Sequence, residues 1–150
     1  MQVIFYKARY GNLADKLIAW WTSSTKDKFN GKWLGSYSHV ELLFDDGVMF
    51  SASQYDNAVR FKKYHPSNRW EQVDISGGSE DLIIKFCESI EGGAYDWWGI
   101  AGFIAPVNDS LDKWFCSEVC TQALIVGRYI DYVDSAKISP NKLYRMLKDG

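Results

Sequence analysis

A chain of 150 residues with 47% hydrophobic side chains can bury the core of one domain and is too short for two of ordinary size, so residues 1–150 read as a single domain. A formal net charge of −2 without any basic block excludes a typical nucleic-acid binder, and no run reaches the roughly 18 apolar residues of a membrane span. Three cysteines without a Cys-x-x-Cys unit, and an N-terminus without a signal peptide's apolar stretch, predict reduced thiols in a cytoplasmic protein; release by lysis or a place in a virion would leave no mark on the sequence.

Gln2 to Ala8 is rich in β-branched and aromatic residues and predicts a strand. Asn12 caps a helix with Asp15 in its first turn, and Leu13, Leu17, Ile18 and Trp21 give that helix an apolar face of the kind that meets a core. Thr22 to Gly35 is polar and lysine-rich and reads as a connecting loop. Tyr37 to Phe44 predicts the second strand, Asp45-Asp46-Gly47 a tight turn, and Val48 to Gln54 the returning third strand. Val59 to Lys63 and Trp70 to Asp74 extend the run into an antiparallel meander that Gly77-Gly78 breaks. Ser79, Glu80 and Asp81 start a helix with Leu82, Ile83, Phe86 and Ile90 on one side, and Gly92-Gly93 ends it. Asp96 to Ala105 predicts a short aromatic helix stopped by Pro106. Val119, Cys120, Ala123, Leu124 and Val126 fall at helical spacing before Gly127, and Ser139-Pro140 opens a last helix through about Lys148. Strands packed against helices in this order make an α+β domain.

The chemistry gathers at Cys116, which falls at or just before the first turn of its helix. Unpaired N–H groups and the positive end of the helix dipole favour a thiolate there, which makes Cys116 the candidate nucleophile. A nucleophilic cysteine needs a base, and the base needs an orienting group. The chain has two histidines. His39 lies on the second strand and is the candidate base, while His65 lies in the loop signature Tyr64-His65-Pro66 and reads as a surface residue. Strand alternation sends Glu41 to the same face as His39, where it can accept the imidazole's second hydrogen bond; Ser51 and Ser53 on the partner strand are rivals for that post. Cys116 and Cys120 share a helix face, but neither histidine has a close partner, so a zinc site is disfavoured. Cys87 and Cys120 read as core residues.

Gly93-Ala94-Tyr95-Asp96-Trp97-Trp98-Gly99, followed by Phe115-Cys116-Ser117-Glu118-Val119, resembles the Gly-x-x-Tyr-x-Trp-Gly and Cys-Ser-x-hydrophobic signature of the NlpC-type papain-like cysteine hydrolases. Ser38-His39-Val40-Glu41 precedes the cysteine instead of following it, which is similar to the circularly permuted branch of the YiiX-like hydrolases and the lecithin:retinol acyltransferase relatives. Small phage-encoded proteins of that branch carry a similar histidine strand, followed by one like Phe50-Ser51-Ala52-Ser53. The resemblance implies a permuted papain-like fold, with an antiparallel meander packed against helices and the nucleophile at a helix N-terminus. It also implies Cys116 as nucleophile, His39 as base and Tyr95 as a hydroxyl donor to the oxyanion. The third position matches Glu41 best, with Ser51, Ser53 and Gln54 on the next strand and Glu118 as rivals; the first-turn place of Glu118 favours capping.

The expected function is therefore a cysteine peptidase or amidase, with no metal or organic cofactor, acting on peptides or on peptidoglycan stem peptides. The alternatives are an acyltransferase or thioesterase using the same triad, and a non-enzymatic virion or host-factor binding module that keeps the fold.

Overall fold

The computed structural model describes residues 1–32, 36–95 and 113–149. In chain order it contains β1 (Gln2–Lys7), a short 3-10 turn, α1 (Leu13–Thr22), α2 (Thr25–Phe29), β2 (Tyr37–Leu43), β3 (Val48–Ser53), β4 (Ala58–Lys63) and β5 (Trp70–Asp74). There follow α3 (Glu80–Ile90), the short strands β6 (Ala94–Tyr95) and β7 (Lys113–Trp114), α4 (Cys116–Val126) and α5 (Pro140–Asp149). The fold is α+β. The predicted aromatic helix Asp96–Ala105 lies outside the described residues.

The sheet runs β5-β1-β2-β3-β4-β6-β7, antiparallel through its first five strands and across β4–β6, with β6 and β7 parallel. This corrects the simple meander. Trp70–Asp74 does not continue from β4 but crosses to the far side of β1, where Phe5 pairs with Glu71 and Tyr6 with Trp70. β1 is an uninterrupted β-former run whose backbone pairs on both sides, with β2 and with β5, so it lies inside the sheet.

One face of the sheet is apolar. Val3, Phe5, Val40, Leu42, Phe50 and Ala52 meet Val119, Cys120, Ala123 and Leu124 of α4 in a shared core. Burying each large aliphatic or aromatic side chain there contributes about 1.5–3 kcal/mol relative to exposure. α3 joins through Ile83 and Cys87, while Leu82, expected on the same side, stays exposed. Asn141 of α5 clamps the start of β2: its carbonyl takes the Tyr37 N–H at 2.8 Å, and its amide donates to the Tyr37 carbonyl at 3.1 Å and to Thr22 Oγ at 2.9 Å.

Two expectations for the N-terminal third are corrected. The stretch Thr22 to Gly35 holds a short helix, α2, in place of a plain loop. In α1 only Ile18 of the four apolar-face residues is buried; the helix seats Asp15, Ile18 and Ala19 inward, while Leu13, Leu17 and Trp21 face solvent. The physical reason is Asp15. Its carboxylate closes the capping box on Asn12 N–H at 3.0 Å, and it also accepts from Ser38 at 2.9 Å, Tyr55 at 2.8 Å and Gln54 at 3.3 Å. Those four donors fix which side of α1 faces the sheet.

Candidate active site

Cys116 is the first residue of α4, after Phe115 in extended conformation. The Glu118 carboxylate accepts the Phe115 N–H at 3.4 Å, so it closes the helix start. Ser117 donates to the Ile138 carbonyl and Thr121 to the Ser117 carbonyl at 2.6 Å, which anchors the first turn. The thiol of Cys116 is thus held by a rigid helix end.

The strand opposite is built to receive it. β2 and β3 pair only near their turn, at Leu42↔Phe50 and Leu43↔Met49. Upstream the Val40 carbonyl takes the Ser51 hydroxyl at 2.7 Å and the Cys120 thiol at 3.6 Å. In this stretch the N-terminus of α4 places Cys116 close enough to His39 to act on its ionisation. Across the neighbouring strands Tyr6 pairs with His39 and Trp70 with Tyr6, and the Trp70 ring meets the imidazole edge-on at 6.1 Å. On its own strand, two residues on, Glu41 Oε1 lies 3.0 Å from His39 Nε2. With Nε2 committed to the carboxylate, Nδ1 is the nitrogen left for the sulfur.

Burial alone would push His39 down. The charge and hydrogen bond of Cys116, and then those of Glu41, outweigh it and hold the imidazole up at about 10. Burial likewise opposes ionisation of Glu41, yet hydrogen bonds and charge from His39 and Arg60 keep its carboxyl below the usual range. At neutral pH the His39 ring therefore favours its charged form, beside the Glu41 carboxylate. Burial pushes Cys87 up to about 12 and Cys120 well above the ordinary thiol value. All three thiols are free and buried.

No protein-family model matches the chain, and no curated protein matches it in sequence.

The structure brings Cys116, His39 and Glu41 near one another and gives the rivals other partners. Ser51 is spent on the Val40 carbonyl, Ser53 accepts the Asp56 N–H at 3.3 Å, Gln54 reaches Asp15, and His65 is exposed between β4 and β5. Tyr95 ends β6, and its side chain lies outside the described residues. Among the described residues no group of three or more His, Cys, Asp or Glu side chains could hold a metal ion, and no helix is long and apolar enough to cross a membrane.

Sequence reasoning missed Arg60. Its guanidinium forks onto both oxygens of Glu41, at 3.0 and 2.9 Å, and its Nε holds Asp56 at 2.8 Å. Alternation within Val59-Arg60-Phe61 was a usable signal: Val59 and Phe61 sit on the core side, so Arg60 points to the other face, opposite Ser51 in β3. What the pattern could not supply was the two-strand distance to Glu41. Arg60, His39, Glu41, Tyr6, Trp70 and Tyr55 line a cleft of about 300 Å³. Cys116 has no exposed surface, whereas the His39 side chain is 14% exposed and lines the cleft.

Proposed function

We propose that the protein is a cysteine hydrolase that cleaves amide bonds through Cys116, His39 and Glu41. The observation that carries this reading is the sulfur–imidazole–carboxylate grouping, with the imidazole held charged at about 10 by its two neighbours. In the proposed cycle the Cys116 sulfur attacks the substrate carbonyl, and the C=O electron pair becomes the oxyanion. Backbone N–H groups at the start of α4 face that charge, because a helix N-terminus leaves its first N–H groups without intrahelical partners. The resemblance adds the Tyr95 hydroxyl as a second donor. Imidazolium His39 then passes its proton to the leaving nitrogen as the C–N bond breaks, giving a thioester. Neutral His39 takes a proton from water, whose oxygen attacks the thioester and releases the acid. Glu41 holds the ring's orientation and supports its positive charge throughout. Cys116 is buried, so acylation follows an opening of the site. Peptides and peptidoglycan stem peptides are the substrate class this reading favours.

Acyl transfer or thioester hydrolysis on an acyl-lipid donor uses the same groups. The exposed apolar side of α1, beside the cleft, favours that second reading. Mass spectrometry of the protein incubated with muropeptides, peptide libraries and acyl thioesters separates them. Cleaved amide, with an acyl adduct on Cys116 that is absent in Cys116→Ala, supports the hydrolase. Transfer from the thioester alone supports the acyltransferase. Identical product profiles for the wild type and Cys116→Ala would overturn both.

A further inference from the structure

α1 is amphipathic in the opposite sense from a core helix. It buries Asp15, Ile18 and Ala19 and turns outward Leu13 (73% exposed), Leu17 (49%), Trp20 (42%) and Trp21 (36%). The outward residues follow helical spacing, so they form one continuous stripe. Phe29, on the neighbouring α2, is 87% exposed. Lone exposed leucines are ordinary, but a contiguous stripe of this kind marks an interaction surface.

The stripe has a basic frame. Lys28 lies over the Trp20 ring, its ammonium 4.8 Å from the centroid, and donates to the Trp21 carbonyl at 3.0 Å. Lys26 and Lys32 are exposed beside it, and Lys16 is on α1 itself. Residues 1–32 hold six basic and two acidic side chains in a chain whose formal net charge is −2; Lys7 on β1 pairs with Glu71 at 3.2 Å, which leaves five basic side chains for this part of the surface. One of the two acids, Asp15, is buried against Ser38 and Tyr55 and gives nothing to the outer surface.

We propose that the α1–α2 face docks the protein on an anionic lipid surface. Leucine, tryptophan and phenylalanine side chains at a helix surface settle at the boundary between headgroups and acyl chains, and lysines reach the lipid phosphates while their stems cover apolar area. A protein partner would also accept the apolar stripe. The concentration of basic residues in the same segment, against a net-negative remainder, favours a membrane of negative surface potential. The position has a consequence for the site. Asn12 donates to Tyr55 Oη at 3.2 Å, and Tyr55 lines the cleft with His39, so a docked α1 sets the mouth of that cleft at the bilayer surface. The docking goes beyond the proposed hydrolase and holds whether or not Cys116 is a nucleophile.

The test is co-sedimentation of the whole chain with vesicles of phosphatidylcholine, and of phosphatidylcholine mixed with phosphatidylserine, at low and physiological salt. Binding to the phosphatidylserine vesicles, weakened by salt, is expected. Leu17→Ser with Trp20→Ser should remove it with only a small drop in melting temperature, because both side chains are about half exposed. Lys26→Gln with Lys28→Gln should weaken partitioning about fivefold for each lysine neutralised, a result that stands even if the first variant fails to fold. Absence of wild-type binding to either vesicle overturns the proposal, as does equal binding by the lysine variant. A lipid-independent dimer that disperses in the Leu17/Trp20 variant, without vesicle binding, assigns the face to a second copy of the chain instead.

Discussion

Helix α4 presses Val119, Cys120, Ala123 and Leu124 into the sheet, whereas α1 turns Leu13, Leu17 and Trp20 to solvent and keeps Asp15 inside. Both helices carry apolar residues at helical spacing. They differ in what anchors them. α4 has no large apolar side left over, because nearly all of its length is covered, and its polar residues Ser117 and Thr121 satisfy themselves on nearby carbonyls. α1 is fixed by one carboxylate and the donors around it, and the apolar stripe follows wherever that anchor leaves it. Periodicity names a face; a buried polar anchor can decide which way the face points.

The comparison can be broken at its catalytic end first. On the proposed function, Cys116→Ala should cut turnover roughly a millionfold. It should also move the His39 titration downward, since the sulfur is the largest upward influence on that ring. Proton NMR of the imidazole reads this second effect without any substrate. An unmoved His39 titration would dissociate the pair even if turnover fell.

Glu41→Gln comes next. It keeps the shape of the side chain but removes the buried charge that His39 and Arg60 share, leaving Arg60 to Asp56 alone, so stability should drop by about 3–5 kcal/mol and turnover roughly 10,000-fold. Denaturant melts and single-turnover kinetics measure the two separately. A stable variant with normal turnover per folded molecule would reduce Glu41 to a surface-like role.

The helices themselves give the third contrast. Leu124→Ala should cost about 2–5 kcal/mol, since Leu124 is fully buried. Leu17→Ala should stay within about 0.5 kcal/mol. Urea midpoints of the two variants compare them directly, and equal losses would mean that α1 is covered in solution.

A contrast that needs no substrate is the pH dependence of stability. The folded His39 value of about 10 lies above the unfolded value of about 6.5, so its contribution is complete below about pH 6.5 and is lost as pH rises through about 10. Glu41, held below the usual carboxyl range, acts with the opposite sign: its contribution is present above about pH 4.3 and fades as pH falls through its lowered value. Urea midpoints should therefore decline from neutral pH toward about 10, and the decline should shrink in His39→Gln.

The sequence by itself determined most of the longer elements and singled out Cys116, His39 and Glu41. β-branched runs, the Asp45-Asp46-Gly47 turn, the Asn12 and Ser79 caps and the Gly127 stop are local signals, and each lands within a residue or two of the observed boundary. Alternation placed His39 and Glu41 on one face, and the start of α4 singled out Cys116 from the other two thiols, for the same local reason. Only the tertiary structure decided the rest, because it depends on pairing between distant segments. The crossing of β5 to β1 set the Trp70–Tyr6–His39 row. The parting of β2 from β3 beyond their turn left Val40's carbonyl to Ser51 and Cys120. The register of β4 delivered Arg60 to Glu41. The four donors around Asp15, drawn from α1, β2 and the end of β3, turned the apolar side of α1 outward. A one-dimensional pattern fixes periods and ends, while the direction of a face and the partner of a charge are set by which strands lie side by side.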